Sequence, residues 1–225
     1  MLKVIICKVE KWFLFKNFTY IVFNTENKKG LIIDPTWDLD LIENKIEENN
    51  IQLKGILITH THFDHVNLVD NLVEKYDCNV YVGEPELSYS DFHVKNLKPI
   101  TSESIFLVGD IKISPLYTPG HSPGSICYLI GDNLFTGDTL FIEGCGMCFG
   151  NQAYSNPSML FKSLQKLKQI IPADTKIYPG HSYGELPGQF MKELMKVNIY
   201  LNFDKEEDFV DYRMRKGQKG LFNFK

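Results

Sequence analysis

Three imidazoles and a carboxylate fall within the short stretch His60-Thr61-His62-Phe63-Asp64-His65. They follow an apolar run, Gly55-Ile56-Leu57-Ile58, that reads as a buried strand. His60 and His62 stand two apart, so at an extended strand end both side chains leave on one side and can grip a single cation. Asp64 and His65 come next, where a turn into a helix would aim them at a second one. Neutral imidazole with carboxylate suits zinc, iron or manganese, whereas calcium and magnesium prefer oxygen alone. A solitary histidine beside a strand is most often an ordinary surface or core residue. Coincidence is a poor account of the whole cluster, and its internal, interrupted placement excludes an affinity tag.

Three more candidate ligands stand at other strand-like ends. His121 lies in Thr118-Pro119-Gly120-His121-Ser122-Pro123-Gly124-Ser125, Asp138 in Thr136-Gly137-Asp138-Thr139, and His181 in Tyr178-Pro179-Gly180-His181-Ser182-Tyr183. With His60, His62, Asp64 and His65 the set is too large for one tetrahedral ion, and it suits two cations that share a carboxylate and a water. The expected assignment is His60, His62 and His121 on the first metal, Asp64, His65 and His181 on the second, with Asp138 between them. Such a pair would bring the shared water's pKa to about neutral, which makes a hydrolase the expected product. Asp64 has a second reading, as the group that orients or accepts a proton from the attacking water. His93 is left as a surface residue. The cofactors expected are two divalent ions, zinc first, with iron or manganese accepted by the same ligands.

The elements that must carry these residues follow from periodicity and turn signals. Lys3–Cys7, Phe18–Phe23 and Leu31–Ile33 read as strands, with Asn27–Gly30 as the hairpin turn between the last two. Asp34 ends the third strand, either capping the next turn or orienting a ligand histidine. Leu39–Asn50 is a predicted helix, Gly55–Thr59 a strand, Val66–Tyr76 a helix with His65 near its start, and Asn79–Val82 a strand. That order is a βαβ unit, and active groups gather where such strands end. Glu84–Phe92 is read as a short helix on a loop. Hairpins are expected around Gly109-Asp110 and Gly131-Asp132. A helix starts at Asn156-Pro157 and stops at Pro172, Lys176–Tyr178 is a last strand, and Leu186–Leu201 a closing helix. The expected organisation is one domain over residues 1–203 and a polar, partly ordered tail over 204–225.

Composition excludes several classes. At 225 residues, 44% hydrophobic and 23% charged, the chain can bury a substantial core, and its net charge of −4 suggests neither a nucleic-acid nor a membrane surface. The opening apolar run is short for a signal peptide, and no stretch is long enough to span a membrane. Five cysteines without regular spacing suit a reducing cytoplasm better than a disulfide scaffold.

The four motifs Thr59–His65, Thr118–Ser125, Phe135–Asp138 and Tyr178–Gly184 together resemble the metallo-β-lactamase superfamily, in consistent order over about residues 15–190. The resemblance implies an α/β fold, an αββα sandwich of two mixed β-sheets flanked by helices, with the dinuclear site along one sheet edge. Thr136–Phe141 followed by Gly144-Cys145-Gly146 is similar to the glyoxalase II group of thioester hydrolases, and the retained Asp138 argues against true β-lactamases. Glyoxalase II places a Lys and a Tyr that hold glutathione where this chain has Met147 and Phe149, so S-lactoylglutathione is a doubtful substrate. Tyr183 matches a substrate-side Tyr of that group and is the expected substrate-binding residue.

The whole pattern, with the Gly144–Cys148 loop and the Tyr178–Gly184 ending, resembles the zinc-dependent, glyoxalase II-like hydrolases of bacterial trans-acyltransferase polyketide synthase clusters. That implies cleavage of acyl thioesters, with an acyl carrier protein as the expected partner. The alternatives are hydroxyacylglutathione hydrolysis, lactone or phosphodiester cleavage, and an iron-dependent persulfide dioxygenase. The dioxygenase's Arg-Thr-Asp-Phe after Gly-Cys-Gly is not matched by Met147-Cys148-Phe149-Gly150. Cys145 and Cys148 are read as part of a structural loop, since a zinc knuckle needs two further ligands.

Overall fold

A computed structural model of the chain describes residues 1–11, 15–148 and 154–215. Two six-stranded sheets lie face to face. The first contains β1 (Leu2–Lys11), β2 (Phe15–Asn24), β3 (Lys29–Ile33), β4 (Gln52–Ile58), β5 (Asn79–Gly83) and β6 (Leu97–Ile100), side by side in that order. The second runs from β7 (Phe106–Val108) through β8 (Ile111–Tyr117), β9 (Ile126–Ile130), β10 (Asn133–Gly137) and β11 (Lys176–Pro179) to β12 (Gln189–Phe190). Both are mixed. Hairpins join β1 to β2 and β9 to β10 antiparallel, whereas β3 through β6 and the β10–β11 pair are parallel.

The central strands are apolar on both faces, and the period of two sorts their side chains into separate layers. Tyr20, Val22, Leu31, Ile33 and Leu57 face the second sheet, where they meet Ile113, Ile126, Tyr128, Phe135 and Tyr178. Their neighbours Ile21, Ile32 and Ile56 turn outward under α1 (Leu39–Glu48) and α3 (Val69–Tyr76), against Ile42, Ile46 and Leu72. On the far side, Cys127, Leu134 and Ile177 pack under Leu160, Leu164 and Leu194 of α5 (Pro157–Ile170) and α6 (Met191–Val197). The layers are therefore helix, sheet, sheet, helix, the expected sandwich. No helix among the described residues is long and apolar enough to cross a membrane.

Several boundaries differ from the periodicity reading. The helix expected over Val66–Tyr76 is split: a single turn, α2 (Phe63–Val66), carries His65 inside it, and α3 starts at Val69. Asn67 stands at the break, its side chain donating locally to Phe63 O (2.8 Å) and held by two long-range bonds, one donated to Thr36 Oγ1 (2.6 Å) and one accepted from Trp37 N (2.9 Å). The predicted helix over 84–92 is only α4 (Glu84–Leu87), and the short β6 was not read from the sequence. The closing helix begins at Met191, after Gly188 at φ 92° and the β12 bridge, and ends in a 3₁₀ turn at Ile199–Leu201.

The stretch expected to be a polar tail instead forms α7 (Glu206–Arg213). Its acidic start hides one strong anchor: Phe209 is fully buried against Phe161 and Tyr200. Residues 216–225 of that tail, and Phe149 and Gly150 of the cysteine loop, lie outside the described residues.

Candidate metal centre

The carboxyl ends of β4, β8, β10 and β11 converge on one edge of the sandwich, and each delivers part of the expected set. After β4 the backbone stays extended at His62 and then turns into α2, which brings His60, His62, Asp64 and His65 together. The Pro119–Ser125 loop after β8 presents His121, the end of β10 presents Asp138, and β11 runs into His181. All seven sequence-predicted residues meet. Their ligand atoms form three overlapping groups able to hold a metal ion: His60, His62 and His121; His60, His65 and Asp138; and Asp64, His65 and His181. His93 is exposed, as expected, and outside them.

Asp138 lies between the clusters. Its Oδ1 is 3.4 Å from both His65 Nε2 and His181 Nε2, while its Oδ2 is 3.5 Å from His121 Nε2. Asp64 Oδ2 is 3.3 Å from His181 Nε2.

The imidazoles are tethered from behind, which turns a nitrogen of each toward the common centre. His121 Nδ1 meets Met147 O at 2.8 Å, His181 Nδ1 meets Lys16 O at 2.9 Å, and His65 Nδ1 meets Asp34 Oδ2 at 3.0 Å. His60 Nδ1 lies 3.1 Å from Thr59 Oγ1, whose own proton goes to Asp34 Oδ2 at 2.6 Å. These acceptors fix a proton on Nδ1 and turn Nε2 inward, where its lone pair is free for a cation once any second proton has left. His62 Nδ1 then faces His121 Nε2 at 3.0 Å, two nitrogens aimed at one place.

His60 Nε2, His65 Nε2 and Asp138 Oδ1 are buried without a hydrogen-bond partner. Buried polar atoms left so would be costly, but they are what a cation needs. The donor set, all imidazole and carboxylate with second bonds to carbonyl or carboxylate, fits a zinc-type ion.

Charge agrees with this. Burial and neighbouring imidazoles hold His60 and His62 below their ordinary pKa, and burial brings His121 down to about 4. Those three are therefore neutral. Burial also opposes charge on His65 and His181, but Asp138, Asp34 and Asp64 outweigh it, holding His65 well above the usual value and His181 up to about 9. Burial pushes Asp138 and Asp64 upward, and the same two imidazoles more than reverse that, so both are ionised. A site that keeps protons this tightly favours positive charge, and a divalent cation can replace them.

Two glycines of the motifs serve close approach. A Cβ on Gly180 would stand 2.6 Å from Asp138 Oδ1 and from His65 Cε1, and one on Gly146 would stand 2.8 Å from His121 Nδ1. The Gly144–Cys148 loop thus packs on His121 and supplies the carbonyl that orients it. Cys145 is fully buried and Cys148 half-buried, both as free thiols, and burial pushes Cys148 up to about 11 and Cys145 higher still. Neither thiol joins a metal-binding group among the described residues.

Three supporting residues were not read from the sequence. Glu86 is 3% exposed: its Oε2 accepts from Thr61 N (2.9 Å) and Thr61 Oγ1 (2.8 Å), and its Oε1 from Ser122 Oγ (2.5 Å) and Gly124 N (2.8 Å). It ties the His60–His62 turn to the His121 loop. Asn17 donates from Nδ2 to Asp64 O (2.8 Å) and Asp64 Oδ2 (3.1 Å). Glu143 Oε1 accepts from Tyr183 N (3.2 Å) and Glu185 N (2.6 Å), shaping the turn after His181. None has a motif spacing that could have betrayed it.

A cavity of about 590 Å³ opens over the centre, reaching His62, Asp64, His121, Asp138 and His181. Phe18, Phe141, Met147 and Leu186 give it apolar walls, and Lys16 and Tyr183 add polar points. The Tyr183 ring lies near-parallel to His181 and edge-on to Phe141. Burial, then the charges of Asp138 and Asp64, push its hydroxyl pKa far up, so it stays protonated as a donor.

The family model of the metallo-beta-lactamase superfamily matches residues 12–181. The chain belongs to that superfamily. Within it, the chain is 43% identical over 212 residues, 94% of its length and 93% of the other's, to the probable polyketide biosynthesis zinc-dependent hydrolase BaeB of Bacillus velezensis. It is 39% identical over 209 residues, 93% of its length and 92% of the other's, to the probable polyketide biosynthesis zinc-dependent hydrolase PksB of Bacillus subtilis. A metallo-beta-lactamase crystal structure from Staphylococcus aureus superposes with a TM-score of 0.84 at 21% identity, over 96% of this chain and 68% of that one, a likeness of fold. Both curated relatives carry the names of metal-dependent hydrolases, in keeping with a metallo-hydrolase.

Proposed function

We propose that this superfamily member is a zinc-dependent hydrolase of acyl thioesters, with acyl groups on an acyl carrier protein as its substrates in polyketide biosynthesis. The observation that carries the hydrolytic reading is Asp138, whose two carboxylate oxygens reach toward different imidazole clusters at 3.4–3.5 Å. The apolar cavity walls, with Met147 where a glutathione-holding Lys would stand, support a simple acyl thioester over S-lactoylglutathione. The names of the BaeB and PksB relatives support the biosynthetic setting.

His60, His62 and His121 would hold one divalent ion and Asp64, His65 and His181 another, with Asp138 shared. When bound, such ions supply Lewis acidity and a hydroxide at neutral pH. The chain's own residues do the rest. Phe18, Phe141 and Met147 exclude bulk water around the acyl group, which strengthens each polar contact inside. Tyr183, kept protonated, can donate to the carbonyl oxygen as negative charge develops there. Asp64, fixed by Asn17, orients the attacking water. The water reacts as hydroxide, its first proton having gone to solvent; the carbonyl carbon gains its oxygen, the carbon–sulfur bond breaks, the thiol leaves as a thiolate, and the remaining proton dissociates from the carboxylic acid product. With an ordinary thiol pKa near 8.5 it needs no dedicated acid.

The test is thiol release from a panel of acetyl carrier protein, acetyl-N-acetylcysteamine, acetyl-CoA and S-lactoylglutathione by zinc-loaded protein. Turnover of the carrier-bound and simple acyl thioesters ahead of S-lactoylglutathione is expected. Absence of thiol release from every substrate would overturn the reading.

A further inference from the structure

The loop that orients His121 is held from the C-terminal side of the chain. Asn198, fully buried at the end of α6, donates from Nδ2 to Phe141 O (3.0 Å), Ile142 O (3.3 Å) and Gly144 O (2.9 Å). That fixes where the loop begins. Two residues further on, Arg213 reaches in from the last turn of α7 and donates from Nε to Gly146 O at 2.9 Å. Arg213 is only 4% exposed, and its guanidinium carbon stands 5.9 Å from the centre of the Tyr200 ring. A buried guanidinium is held in a narrow range of positions by its hydrogen bonds, so its grip on this carbonyl has geometric consequences.

The main consequence lies one peptide away. The Gly146 carbonyl belongs to the same planar unit as the Met147 N–H, so gripping it fixes the plane from which the Met147 carbonyl projects. That carbonyl accepts from His121 Nδ1 at 2.8 Å. Gly146 itself touches the ring closely enough that a Cβ would stand 2.8 Å from Nδ1. A displacement of the loop therefore moves His121 directly.

From this chain of contacts we infer that Arg213 is a positioning residue for the His60, His62 and His121 group. It clamps the Gly146–Met147 peptide so that the His121 ring points Nε2 at the metal, making the C-terminal helix part of the metal centre. The inference rests on the metal reading given above, and it assigns a role to a segment whose composition reads as a solvated tail.

The experiment uses the full chain, stripped of metal and titrated with Co2+ against a chromophoric chelator, with the visible spectrum recorded at each step. Arg213→Met is expected to bind the ion of the His-rich group about 10–100-fold more weakly, the usual effect of losing a support behind a ligand histidine, with altered visible bands. The Asp64, His65 and His181 group should be affected far less. Arg213→Lys keeps the charge but not the Nε–H donor, and is expected to weaken binding in the same direction; it carries the test if the Met variant does not fold. Glu207→Ala changes an exposed residue of the same helix and leaves its buried face intact, so it should keep wild-type Co2+ affinity. Wild-type affinity and spectrum in a folded Arg213 variant would overturn the inference, as would an equal loss in Glu207→Ala. Failure of the wild-type chain to take up Co2+ would instead overturn the metal reading.

Discussion

Asp34 Oδ2 receives the ring proton of His65 Nδ1 at 3.0 Å, and the same carboxylate takes Thr59 N at 2.8 Å through Oδ1 and Thr59 Oγ1 at 2.6 Å through Oδ2. One buried aspartate thus both closes the end of β3 and aims two ligands, His65 directly and His60 through Thr59. The sequence left capping and orienting as alternatives, and the structure has it do both. Asp34→Asn should weaken metal binding about 10–100-fold, read as metal content after dialysis against a chelator. Full metal retention would show that the orientation of His65 does not depend on Asp34.

Asp138 is the group whose loss should be least tolerated. Its two carboxylate oxygens approach imidazoles of both clusters, so Asp138→Ala removes the shared carboxylate while leaving the strand it ends. Thiol release is expected to fall to background in a protein with unchanged far-ultraviolet circular dichroism. Retained turnover in that folded variant would sink a two-metal mechanism.

Glu86 accepts four hydrogen bonds with two oxygens at a site shielded from water. In Glu86→Gln the amide nitrogen faces donors, so at least one of the paired backbone N–H groups loses its acceptor. The expected cost is about 1–3 kcal/mol of stability, seen as a lower urea midpoint with unchanged slope. Metal affinity in the His60, His62 and His121 group should fall with it, since Glu86 holds both of the turns that carry them.

Stability of the metal-free protein should depend on pH in a direction set by His181. Its folded pKa of about 9 lies above the ordinary histidine value near 6.5. The protonated ring, paired with Asp138 and Asp64, therefore stabilises the fold fully below about pH 6.5, and that stabilisation is lost as pH rises toward 9. The melting temperature of chelator-treated protein should fall across that window. Zinc-loaded protein should show a weaker dependence, because metal takes the place of the proton. Equal curves for the two forms would argue against His181 as a ligand.

The ligand set was legible in the sequence because metal coordination needs particular side chains at strand ends, and His60, His62, Asp64, His65, His121, Asp138 and His181 each sit after an apolar run beside turn-forming residues. The strands were legible too, since burial on both faces makes continuous runs such as Phe18–Phe23 and Leu31–Ile33. What the tertiary structure alone decided was everything held by long-range hydrogen bonds. Asn67 stands at the helix break after His65 with its side chain held by Thr36 and Trp37, although nothing local forbids a continuous helix there. Glu86 joins two motif loops, and Arg213 grips Gly146 across more than sixty residues. A charged residue in a polar stretch looks the same in sequence whether it is solvated or buried, because the partner that compensates its burial lies elsewhere in the chain. That is why α7 read as a tail, and why the supports of the site came only with the fold.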